Sequence, residues 1–160
     1  MIKKDICGLD EGKKHYGLID SGSAATAAPM KFGAGMPLIK DQAMNLVAVN
    51  GEGIAHHGRR EVACKVKADD GEKIDTLIKA QIADVSKLVL SVGSMSDHGI
   101  GTWMPPEGAS NLWMVDENYN WVDLTEPCLI KDQKAVPITK DQGVYWLPVE
   151  ELDQSFMHFD

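Results

Sequence analysis

Long apolar runs are missing from this 160-residue chain: no window of about 18 consecutive apolar residues occurs, so no bilayer-spanning helix and no membrane insertion are expected. The start, Met1-Ile2-Lys3-Lys4-Asp5, lacks the apolar core of a signal peptide, which favours the cytoplasm; an organelle would require that a targeting peptide had been removed. Positive charge is scarce as well. Sixteen Lys and Arg face 24 Asp and Glu, for a net charge of −8, which argues against a surface built to neutralise phosphates and hence against a nucleic-acid partner. Cysteine is sparse and odd in number: Cys7, Cys64 and Cys128 stand far apart with no Cys-x-x-Cys, which excludes the usual zinc and dithiol patterns and leaves reduced thiols as the expectation.

What is present is strand texture. Short apolar or alternating runs occupy Tyr16 to Ile19, Leu46 to Val49, Glu61 to Lys67, Leu77 to Ile82 and Lys87 to Val92, with turn residues between them. Asn50-Gly51 and Asp70-Gly71 each separate two such runs, the arrangement of β-hairpins whose tips need positive φ. Helix is expected only in short pieces, at Ser94 to His98 and at Ser23 to Ala28, because Gly and Pro punctuate the rest. Beyond Gly99 come Pro105-Pro106, Trp103, Trp113 and Trp121, then Gly143-Val144-Tyr145-Trp146-Leu147-Pro148-Val149. This suggests a small β subdomain over residues 101–160, glued by its tryptophans to a first domain over 1–100, with a fraying acidic tail from Glu150. The fold class expected is all-β with one short helix.

The most informative segment is Gly17-Leu18-Ile19-Asp20-Ser21-Gly22-Ser23, an apolar strand running into Asp-Ser-Gly and then into the small residues Ala24, Ala25 and Thr26. Each position suits an aspartic protease. Asp20 would supply a carboxylate at a strand end, Ser21 a hydroxyl able to bond across to an opposing turn, and Gly22 a backbone that a second turn can approach closely. Thr26 can tie its hydroxyl to nearby backbone. Two carboxylates a few ångströms apart share one proton, because like charges that close cannot both ionise; one then activates water while the other polarises the scissile carbonyl. The chain holds one Asp-Ser-Gly, so the dyad would need a homodimer with its cleft on the two-fold axis. Taken alone, Asp-Ser-Gly is far more often simply a turn.

With three further stretches in order, the chain resembles the retropepsin-like aspartic proteases, in particular those of copia-type retrotransposon polyproteins and related dinoflagellate sequences. Leu46 to Gly58, with Asn50, Gly51, Glu52, Gly53 and Ile54 at its tip, is similar to the flap hairpin that closes over a bound peptide in that family. Ile82 to Met95 is similar to the family's late strand, which passes behind the aspartate loop and ends in a glycine, here Gly93, that gives room for the threaded chain. Gly143 to Leu147 resembles a closing motif downstream of the protease. The resemblance implies a closed acid-protease β-barrel, Asp20, Ser21 and Gly22 as the catalytic turn, residues 50–54 as the substrate-binding flap, a peptide or protein substrate, and neither metal nor cofactor.

Other constellations carry less. His56 and His57 are adjacent, so in a strand they point to opposite faces and cannot share one ion. The cluster His56-His57-Gly58-Arg59-Arg60 is expected to be a solvated strand end. No Gly-x-Ser-x-Gly elbow supports a serine triad, and the glycine-rich stretches lack the Gly-Lys-Ser/Thr of a phosphate cradle. The eight methionines fit gap-filling in a small β core. Two functions from different classes follow: a homodimeric aspartic endopeptidase using Asp20 of each chain, and a domain of the same fold that no longer cleaves and serves as a structural or adaptor subunit of a larger assembly.

Overall fold

A computed structural model describes residues 13–40, 42–106, 112–116 and 118–152. In chain order the elements are β1 (Lys14–Asp20), β2 (Ala27–Ala28), β3 (Leu46–Val47), β4 (Gly53–Ile54), β5 (His56–Lys67), β6 (Lys73–Ala83), β7 (Val89–Ser91), α1 (Val92–Asp97), β8 (Gly101–Trp103), β9 (Leu112–Val115), β10 (Trp121–Leu124), β11 (Cys128–Lys131), β12 (Lys134–Pro137), β13 (Thr139–Asp141) and β14 (Val144–Glu151). The described residues are mostly β with one short helix, and no helix among them is long and apolar enough to cross a membrane.

Period-two patterning sets the longest pair. Along β6, Ile74, Thr76, Ile78, Ala80 and Ile82 are at least partly buried, whereas Lys73, Asp75, Leu77 and Lys79 are exposed. β5 pairs antiparallel with it from Lys67↔Lys73 to His56↔Ala83, broken by a bulge between His56 and Gly58. Both hairpin tips use one device. Gly71 N–H donates to Ala68 O (3.0 Å) and Ala68 N–H to Glu72 O (2.8 Å); Gly51 N–H donates to Ala48 O (2.9 Å) and Ala48 N–H to Glu52 O (2.8 Å). Within each tip positive φ falls on the glycine alone, Gly71 and Gly51, both at 90°. Asn50 and Asp70 instead accept the amides of Glu52 and Glu72 on Oδ1, each at 2.9 Å.

Seven strands form the main sheet in the order β1-β7-β2-β6-β5-β14-β13, and β14 also pairs with β1. β1 runs parallel to β7, and β2 parallel to β6. Ile19, Phe32, Val62, Ile82, Leu88, Leu90, Leu147 and Val149 form the core beneath them. A smaller cluster of Leu124, Cys128 and Ala135 collects Trp103, Met114, Val122 and Ile130. The expected boundary at residue 100 is therefore no break in the sheet: β13 and β14 belong with the strands of the first hundred residues, because β14 fills the place between β1 and β5. Glu150 and Glu151 are the last residues of that strand rather than a frayed tail, and residues 153–160 lie outside the described set.

Four local expectations are corrected. Ser23 to Ala28 is not helical, since Ala27 and Ala28 pair with β6 and Ala27 also with β7. The helix covers Val92–Asp97 rather than Ser94 to His98, because Ser91 caps it by accepting the Ser94 amide. The basic cluster is not simply solvated: Arg60 is 7% exposed, and its guanidinium donates to the carbonyls of Met30 (2.5 Å), Phe32 (2.9 Å) and Met36 (3.2 Å). These bonds hold residues 29–36 in a tight loop, where Gly33 at φ 65° lies so close to Val62 that a Cβ would stand 2.3 Å from Cγ2. Trp121 is exposed rather than glue, and Trp103 packs within the second half, against the Leu124 cluster, its indole N–H donating to Leu124 O at 3.1 Å.

A largely buried histidine–carboxylate contact joins the start of β1 to the end of β14. His15 Nε2 lies 2.5 Å from Glu151 Oε2, both side chains nearly excluded from water, and the His15 ring meets Phe32 edge-on at 5.0 Å. Burial pushes the Glu151 carboxyl up, but hydrogen bonds from His15 and the Gly33 amide, with the charges of His15 and Lys13, outweigh it and hold its pKa below the ordinary 4.5. A carboxyl depressed on folding contributes stability that is complete above the unfolded value and is lost as pH falls through the folded one. Urea unfolding is therefore expected to show wild-type stability dropping below pH 4.5, with Glu151→Gln less stable near neutrality and flatter across that acidic window.

Candidate active site

Asp20 ends β1, where the parallel ladder sets Leu18 beside Val89, Ile19 beside Leu90 and Asp20 beside Ser91. The strand alternates: Gly17 and Ile19 face the core, whereas Tyr16, Leu18 and Asp20 lie on the other face. Gly17 suits that place, since a Cβ would come within 2.7 Å of Leu90 Cδ1 and the leucine side chain would have to move. After Asp20 the chain turns sharply. Gly22 N–H donates to Asp20 Oδ1 at 2.8 Å, which orients the carboxylate, and Ser21 and Gly22 are exposed.

The turn is braced from behind by one residue that motif reading passes over. Ser91 has no exposure; its hydroxyl donates to Ser23 O (2.7 Å) and accepts the Ser94 amide (3.1 Å), while its own amide donates to Thr26 Oγ1 (3.1 Å). Ser23 Oγ adds a bond to Ala25 O at 2.6 Å. Thr26 therefore ties its hydroxyl to backbone, through the strand behind. A polar residue inside the apolar run Leu88 to Val92 was the available signal for Ser91. Gly93, by contrast, is not demanded by packing within the chain, since a Cβ there would meet only Ser91 Oγ at 3.9 Å.

The expected flap residues form the β3–β4 hairpin, which pairs only with itself among the described strands. Asn50, Gly51, Glu52 and Gly53 are exposed, Ile54 is half-buried, and Val47 and Val49 present apolar surface to solvent. Its base is fastened where the Met44 amide donates to His56 Nδ1 at 3.2 Å. The two adjacent histidines go to separate partners, His56 to Gln81 Oε1 (2.8 Å) and His57 to Asp84 Oδ1 (2.7 Å). Among the described residues no group of three or more His, Cys, Asp or Glu side chains is arranged to hold a metal ion.

The thiols are no better placed as nucleophiles. Cys64 is buried beside Glu151, and burial first, then that carboxylate, pushes its pKa up to about 12. Burial likewise pushes Cys128 up to about 11, with Asp69 adding to it. A cavity lined by Lys67, Asp69, Pro137, Leu147 and Pro148 sits at the β5–β6 tip and includes none of the expected site residues. What the aspartate turn offers chemically is a carboxylate with one oxygen tied to backbone, on an exposed loop fixed from behind. No family model, no curated protein and no solved structure matches the chain.

Replacing Ser91 by alanine would remove the hydroxyl that the part-buried Ser23 carbonyl and Ser94 amide both use, at about 1 kcal/mol for the lost bonds. Denaturant unfolding of Ser91→Ala is expected to show a loss of that size. Hydrogen exchange in residues 20–26 should rise in the same variant.

Proposed function

We propose that this chain is one half of a retropepsin-like aspartic endopeptidase, active as a homodimer in which Asp20 of each copy faces the other across a two-fold axis. The observation that carries the proposal is the Asp20 turn: a strand-end carboxylate bonded to Gly22 N–H, with Ser21 and Gly22 exposed and the loop anchored from behind by buried Ser91. The run of strand pairings, which returns from β14 to β1, supports a closed-barrel form of the fold. The exposed hairpin tipped by residues 50–54 supports a cover for an extended peptide.

In the working dimer the two Asp20 carboxyls hold one proton between them. The ionised one takes a proton from a water as it attacks the scissile carbonyl carbon; the protonated one donates a hydrogen bond to the carbonyl oxygen and then its proton. The tetrahedral diol collapses as the carboxyl that took water's proton passes it to the amide nitrogen, the other carboxylate takes a proton from a diol hydroxyl, and the C–N bond breaks to free the amine. Exposed Gly22 presents no side chain to obstruct the partner's turn, and Ser21 offers a hydroxyl to bridge the two turns.

The test joins mass to activity. Sedimentation is expected to give a species of twice the 17.5 kDa chain mass, cleaving a peptide library at mildly acidic pH. Asp20→Asn should keep the dimer and lower cleavage by at least about 1000-fold. A monomer that cleaves nothing would overturn the proposal and favour a silent domain of the same fold.

A further inference from the structure

One long edge of the main sheet is left open. β6 pairs with β5 along its whole length, but on its other side β2 reaches only Gln81 and Ile82, so no described strand pairs there with Lys73 to Ala80. Backbone alternation decides which residues look out from that edge. The Gln81 amide points to it, donating to Thr26 O at 2.8 Å, and the one irregularity of the β5–β6 ladder lies beyond Gln81, between His56 and Gly58. The amides and carbonyls of Lys79, Leu77, Asp75 and Lys73 therefore point the same way. Their side chains share an exposed face. Leu77 is 52% exposed, and Asp75, though bonded to Lys65 Nζ at 2.6 Å, keeps its side chain 73% exposed.

Charge guards most open edges, and a run of one sign would repel a second copy of itself. This edge instead reads Lys73, Asp75, Leu77, Lys79, a pattern that complements itself when reversed. Laid antiparallel about Leu77, two copies set leucine against leucine, Asp75 against Lys79 of the partner subunit, and Lys79 against the partner's Asp75. Each of these pairs joins outward-facing residues, so each exchanges both of its backbone hydrogen bonds while the opposite charges meet on one face. Neighbouring registers lose the match. A slip one way sets Lys73 against the partner's Lys79, and a slip the other way sets Lys79 against the partner's Leu77 and Asp75 against the partner's Gln81. We propose that the open edge of β6 is a self-association surface, where a second copy of this chain pairs antiparallel about Leu77 and joins the β5–β6 hairpins of both copies into one continuous sheet. The pairing uses no residue of the Asp20 turn and does not depend on the endopeptidase proposal.

Sedimentation of the full chain across a concentration series tests the surface. The contact is smaller than a standard interface, so the average mass is expected at least to double, with a midpoint on the order of 100 μM. The starting species is two chains if the Asp20 dimer stands and one chain if it does not, so the two proposals fail separately. Asp75→Lys and Lys79→Asp each alter an exposed side chain and set like charges across the pair. Either variant alone is expected to stay at the starting mass up to about 500 μM. Mixed in equal amounts, the two variants again place opposite charges at both positions, and association should return to within about threefold of the wild-type midpoint. That return separates lost pairing from lost folding. A wild type whose mass does not rise with concentration, a variant that associates as wild type does, or a mixture that stays at the starting mass would overturn the surface.

Discussion

A hydroxyl with no access to water, that of Ser91, sets the conformation on which the candidate site depends. β7 runs parallel to β1 and antiparallel to β2, so the segment from Asp20 to Thr26 must leave one side of β7 and return on the other. Small residues let it do so within a few positions, but a loop that tight leaves backbone groups outside the strand pairing and partly shielded from water. Ser91 answers several at once, through Ser23, Thr26 and Ser94, and in doing so starts the helix that carries the chain away. Anchored on one side only, the aspartate turn is rigid behind and open in front.

Two buried charges extend this order to the rest of the sheet. Glu151 on β14 binds His15 on β1 and the Gly33 amide, so one carboxylate joins the far ends of the described chain to the loop that follows the aspartate turn. Arg60 fixes the same loop from β5 by three carbonyls, giving a buried guanidinium the acceptors it needs. At the other end of β5, the Asp69 amide donates to Ala135 O, and Lys134 bonds Glu72, so the β11–β12 hairpin is held to the β5–β6 tip.

Local chemistry was legible in the chain, and long-range pairing was not. Asn50-Gly51 and Asp70-Gly71 announce hairpins because turn requirements act over four residues, although the structure gives positive φ to the glycine alone. Alternation along β6 announces a half-buried strand. The pairing of β14 with both β1 and β5 left no such mark, which is why residues after 100 read as a separate unit; strand partners as distant as Lys14 and Glu150, or Lys65 and Glu150, are chosen by packing, not by sequence neighbours. Arg60 misled for a related reason, since its acceptors are backbone carbonyls that carry no sequence signature. Ser23 to Ala28 looked helical by composition, yet pairing on both sides of β2 overrides so weak a preference. The Asp-Ser-Gly turn itself could be found by motif, but its buried brace, Ser91, appears only once β1 and β7 are side by side.

The proposed chemistry needs two copies of one residue, and that requirement can be measured directly. Wild-type and Asp20→Asn chains are mixed at fixed total concentration under conditions that allow exchange, and peptide cleavage is followed against the wild-type fraction. A site built from one Asp20 of each chain gives activity that falls as the square of that fraction, about a quarter of the full rate at an equal mixture. A linear fall, or no cleavage at any fraction, would contradict the shared dyad.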